Sequence, residues 1–69
     1  MNAIIDLGRV TAKTTLGRST IYAYVKAGKF PAPIQVSPRH VAWIEAEVDA
    51  WVQERIAESR AEQPNEVSA

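Results

Sequence analysis

The stretch Gly17-Arg18-Ser19-Thr20-Ile21-Tyr22-Ala23-Tyr24-Val25-Lys26-Ala27-Gly28-Lys29-Phe30-Pro31 constrains the fold more than any other part of the chain. Ile21, Tyr24 and Val25 recur at i, i+3 and i+4, which predicts a helix over residues 18–27 with one side to bury. Gly28 closes it, because glycine enters the left-handed region at little cost, and Pro31 prevents a restart. Arg18, Ser19 and Thr20 bring hydrogen-bonding groups to the helix start, where free backbone N–H groups and the positive end of the dipole favour a phosphate. Tyr22, Ala23 and Lys26 are left on the opposite side, facing outward like groups that enter a nucleic-acid groove.

What surrounds this helix must fold with few resources. The chain has 69 residues and no cysteine, so a small core has to be held by packing alone. Ala3-Ile4-Ile5-Asp6-Leu7 is an apolar opening suited to an extended lead-in or edge strand. A first helix is expected from about Gly8 or Arg9 to about Thr14, with Asp6 or Gly8 near its cap and Val10 pointing inward. Thr15-Leu16-Gly17 then reads as a tight turn, and the two helices make a helix-turn-helix. Beyond Gly28, Pro33-Ile34-Gln35-Val36 and His40-Val41-Ala42-Trp43 flank the turn signal Ser37-Pro38-Arg39. That is a hairpin placed as a wing, with Ser37 and Arg39 at its tip either touching a nucleic-acid backbone or merely covering the core. Ile44, Val48, Trp51, Val52 and Ile56 recur at helical spacing and predict a final helix. The expected architecture is mainly α with a small β-hairpin, a winged helix-turn-helix over residues 1–60, followed by a mobile tail over residues 61–69 that contains Pro64.

Net charge is zero, but the charges are segregated. Residues 1–43 hold six basic residues and one acid, whereas residues 44–69 hold two basic residues and seven acids, giving +5 and −5. A local field of one sign steers an anionic partner even when the total cancels. Glu45, Glu47 and Asp49 need no such partner, since acids are favoured at the start of the final helix. Catalytic chemistry is poorly supplied: His40 is the single histidine, no glycine-rich phosphate loop exists, and no cysteine can ligate a metal. No enzyme activity, cofactor or metal is expected. No apolar run is long enough to span a bilayer, so the expectation is a cytoplasmic protein without membrane contact.

Arg18-Ser19-Thr20-Ile21-Tyr22, Gly28-Lys29-Phe30-Pro31, Val41-Ala42-Trp43 and Glu47-Val48-Asp49-Ala50-Trp51 resemble, in order and spacing, the AlpA-type phage regulatory proteins. The resemblance runs from about Leu7 to Arg60. It implies a fold similar to the small winged-helix proteins of the MerR and excisionase kind, with a recognition helix near residues 18–27 and a wing at residues 33–43. It also implies transcriptional regulation or prophage excision on double-stranded DNA, with integrase or RNA polymerase as protein partners. One departure lies in the turn, where members commonly carry Thr-Gly-Leu-Ser and this chain has Thr14-Thr15-Leu16-Gly17. Thr15 is β-branched and ill suited to positive φ, so a shifted turn geometry is expected.

On this reading Lys26, Lys29 and Arg39 take phosphates, while Arg18, Ser19, Thr20 and Tyr22 supply base or near-base contacts and Ala23 meets a thymine methyl. Tyr22 has an alternative role, packing beside Ile21 with its hydroxyl outward. So small a monomer covers few base pairs, which points to a homo-oligomer on DNA. The competing functional reading is a protein-interaction module that uses the basic face and the acidic final helix without touching DNA.

Overall fold

A computed structural model of the chain describes residues 3–62, in the order β1 (Ile4–Ile5), α1 (Leu7–Thr14), α2 (Arg18–Lys26), β2 (Ile34–Ser37), β3 (His40–Ile44) and α3 (Glu45–Glu62). Asp6 stands outside α1 in extended conformation and its carboxylate accepts the Arg9 N–H at 3.0 Å, which satisfies one of the free donors at that end. Val10 points inward from α1 and is fully buried. The lead-in is a true strand. β1 pairs antiparallel with β3, Ile4 opposite Ile44 and Ile5 opposite Trp43, so β3 is central in a three-stranded sheet of order β1-β3-β2.

The turn between α1 and α2 corrects the expectation of a shifted geometry. Thr15 itself takes the left-handed conformation, φ 63° and ψ 8°, and its N–H donates to the Thr11 carbonyl at 2.7 Å. This is the simpler left-handed helix ending, here built on a β-branched residue that pays the steric cost glycine would avoid. Thr14 helps: its hydroxyl donates to the Val10 carbonyl at 2.8 Å and accepts the Leu16 N–H at 3.2 Å. The side chain therefore supplies the turn with bonds the backbone lacks.

At the far end of α2, Gly28 stands at φ 77°. Its N–H donates to the Val25 carbonyl at 3.1 Å and the Lys29 N–H to the Tyr24 carbonyl at 2.8 Å. That pair of bonds is a Schellman ending. In the hairpin, Ile34 faces Ala42 and Gln35 faces Val41, but Ser37 faces His40, so the strand bulges at Val36. The Gln35 amide spans the irregularity, donating to the carbonyls of Ser37 at 3.2 Å and Pro38 at 3.1 Å.

The core is Ile5, Val10, Ile21, Phe30, Trp43 and Val48, one residue each from β1, α1, α2, the loop after α2, β3 and α3, while β2 is exposed throughout. Two positions of the expected helical stripe are corrected. Ile44 ends β3, and Ile56 is 37% exposed; Val48 and Trp51 are the stripe positions of α3 packed in the core, with Val52 half-buried outside it. With 18 residues α3 is about 27 Å long and outruns the elements it packs on. It continues through Glu62, two residues into the segment expected as a tail; residues 63–69 of that segment lie outside the described residues.

Candidate nucleic-acid interface

The geometry of α2 follows from which side its residues bury. Ile21 is fully buried, and Tyr24 and Val25 are half-buried against the core. Arg18, Ser19, Tyr22, Ala23 and Lys26, at i, i+1, i+4, i+5 and i+8, are exposed on the remaining arc. Thr20 is half-buried and stands at the edge between the two sides. Tyr22 packs and yet stays accessible: its ring lies 6.2 Å from that of Trp43, tilted by 54°, while the residue is 42% exposed.

The start of α2 is open. Gly17 precedes it in extended conformation and gives no side-chain cap, so the first-turn N–H groups have no side-chain acceptor from it. The far end, by contrast, is fixed by two tryptophans. Trp43, fully buried, donates its indole N–H to the Pro31 carbonyl at 2.9 Å. Trp51 donates to the Lys29 carbonyl at 2.7 Å, and its ring meets the edge of Phe30 at 4.9 Å. The loop leaving α2 is thereby bonded both to the sheet and to α3, which sets the angle at which the helix stands. Sequence reasoning placed both tryptophans but missed these bonds. The signal was available, since the carbonyls of a loop after Gly28 lack regular partners and an indole N–H needs an acceptor when buried.

The charges sort themselves by partner. Lys13 sits 2.8 Å from Asp49 and 3.2 Å from Glu45, joining α1 to the start of α3. The hydrogen bonds it donates to Asp49 and then Glu45 raise its pKa above the ordinary lysine value. Among the described residues, Arg9, Arg18, Lys26, Lys29 and Arg39 have no carboxylate within 4.0 Å. Lys26 and Lys29 are exposed around the end of α2; Ser37 and Arg39 are exposed at the hairpin tip, Arg39 within the turn and Ser37 paired with His40. Arg9, exposed near the start of α1, counted in the sequence only as charge and joins this set of unpaired cations. His40 is exposed, and no group of metal-ligating side chains occurs among the described residues. No helix among them is long and apolar enough to cross a membrane.

Residues 3–56 match a family model described as prophage CP4-57 regulatory protein (AlpA). A protein of Enterobacteria phage P4 named ORF88 is 45% identical over 42 residues, which cover 61% of this chain and 48% of that protein. The DNA-binding transcriptional activator AlpA of Escherichia coli (strain K12) is 34% identical over 58 residues, covering 75% of this chain and 83% of that protein. The chain thus spans about half the length of the phage relative. No solved structure matches it.

Proposed function

This chain belongs to the AlpA family of phage regulatory proteins, and we propose that it is a regulator that binds duplex DNA by laying the exposed side of α2 in the major groove. One observation carries the reading. The outward arc of α2 bears Arg18, Ser19, Tyr22, Ala23 and Lys26, and among the described residues Lys13 alone of the six cations in residues 1–43 is held by carboxylates. The uncapped N–H groups at Gly17 add a place for a phosphate. The Escherichia coli relative is named as a DNA-binding transcriptional activator, which favours regulation.

In this arrangement Lys26, Lys29 and Arg39 neutralise phosphates and fix the register, with Ser37 beside Arg39 on the wing. Arg18 reads a guanine edge through its fork, Ser19 and Thr20 hydrogen-bond near the helix start, and Ala23 lies against a thymine methyl. Because one copy spans few base pairs, useful affinity needs paired or repeated sites occupied by several copies. Recruiting or blocking RNA polymerase needs only this surface. Excision together with an integrase would use it too, and differs in requiring bent DNA.

Selection of bound sequences from a random duplex pool is the test. A recurrent motif is expected, with affinity for random duplex falling on a log–log salt plot at a slope of roughly −0.9 for each phosphate neutralised. Charge reversal at Arg18 and Lys26 abolishes the selection while helicity persists. Failure to bind even at low salt refutes DNA recognition and leaves the interaction-module reading. Binding without cooperativity that leaves the duplex straight in a bending assay counts against excision.

A further inference from the structure

A groove of about 500 Å³ runs between α3 and the loop that leaves α2. Phe30 and Pro31 line it from the loop, and Glu47, Ala50, the half-buried Trp51 and Glu54 line it from α3, where they stand at i, i+3, i+4 and i+7 on one face of the helix. Among the described residues Glu47 has no ion-pair partner, and Glu54 has only Arg55 at 3.9 Å, the guanidinium of which lies closer to Glu58 at 2.7 Å. Lys29 also lines the groove, yet no carboxylate lies within 4.0 Å of it. Both carboxylates are exposed and line an apolar trough without a close ion pair among the described residues.

We propose that this groove docks a basic segment of a partner protein, in which an arginine or lysine stands among aliphatic residues. Charge complementarity selects that occupant. An arginine or lysine side chain has an aliphatic stem that packs on Ala50, Phe30 and Pro31 while its charged head reaches Glu47 or Glu54. Trp51 gives the contact the large, rigid aromatic surface on which interface affinity concentrates. The proposal does not depend on DNA binding, and it is tested without DNA.

The full chain, isotopically labelled, is titrated with a short peptide holding one arginine between two leucines, and in parallel with its glutamate counterpart. The two indole N–H resonances are separate reporters. The arginine peptide is expected to shift Trp51 and residues 47–54 saturably, leaving the buried Trp43 unmoved. Glu47→Gln and Glu54→Gln each weaken this binding about threefold, as exposed charge pairs do, without altering the melting temperature. The proposal is overturned by equal shifts with the glutamate peptide, by no saturable shift in the millimolar range, or by sedimentation showing that the chain already fills the groove with a second copy of itself.

Discussion

Replacing Thr15 by glycine should stabilise this domain, and the size of the gain follows from the turn geometry. Thr15 stands at φ 63° and ψ 8°. The left-handed region costs an L-residue about 1–2 kcal/mol through the approach of Cβ to the carbonyl oxygen, and a β-branched residue falls at the upper end. Its side chain is exposed, and its hydroxyl donates only to the adjacent Thr14 carbonyl, a bond water can replace. Glycine removes the strain but returns about 0.5–1 kcal/mol of backbone freedom to the unfolded chain. The difference leaves a gain of about 1–1.5 kcal/mol, or a rise of roughly 4–12 °C in Tm for a domain this small. Thr15→Ala retains Cβ and so keeps the strain; its Tm should stay near the parent. Thermal melts followed by far-UV circular dichroism, with urea midpoints at unchanged slope, measure both. Should the glycine and alanine variants melt together, or glycine melt lower, the turn is not strained in solution and the reasoning fails.

Three other perturbations bear on the core, the ion pair and the interface. Trp43→Phe strands the Pro31 carbonyl in a part-buried place and opens a cavity, for a loss of about 2–3 kcal/mol, whereas Trp51→Phe gives up one hydrogen bond near the surface and loses about 1 kcal/mol; equal urea midpoints would contradict the distinction. The Lys13 pKa is raised in the fold, so its contribution is complete below the unfolded value of 10.5 and is lost as pH climbs through the folded value. Parent stability should therefore decline more steeply above that pH than stability of Lys13→Met, and parallel declines in alkaline melts would show that the pair contributes nothing. In DNA binding, Lys26→Ala should weaken all sequences alike and reduce the salt slope by about 0.9, while Arg18→Ala should cost ~1–3 kcal/mol at one base position only; loss of discrimination in the lysine variant would exchange the two roles.

Elements whose ends and faces are both specified were legible in the sequence. Asp6, Gly17, Gly28 and Pro31 bounded the two helices of the turn, and Ile21, Tyr24 and Val25 named the buried side of α2. Thr15 was misjudged because propensity weighs a residue alone, whereas the fold bonds Thr14 across the turn and holds its neighbour in a costly conformation. Ile44 fitted the helical stripe of α3 equally well as a strand residue; only Ile4, forty positions earlier, decides the matter by pairing with it. Ile56 followed the same periodicity, but periodicity cannot tell where the packing partners of a helix end. For the candidate interface, the sequence separated the outward arc of α2 from the inward one. It could not reveal that Lys13 is withdrawn from the basic set, since that depends on carboxylates 32 and 36 positions away.

The two ends of α2 are treated unequally by the rest of the chain, and this inequality bears on how a nine-residue helix could serve recognition. A helix so short is marginal by itself and needs external support to persist. That support is concentrated at its C-terminal end, where the Schellman bonds, the indole of Trp51 on Lys29 and the indole of Trp43 on Pro31 all meet within four residues. Ile21 anchors the middle, and the N-terminal turn is left without a side-chain cap. Direction is thus imposed from one end while the donors that suit a phosphate stay open at the other. The cost of leaving Gly17 in place of a capping serine is only a few tenths of a kcal/mol, small enough for the core to bear, and it keeps the helix start free of an internal acceptor that would compete with the ligand. On the proposed function, binding therefore completes a helix that the two tryptophans have already aimed.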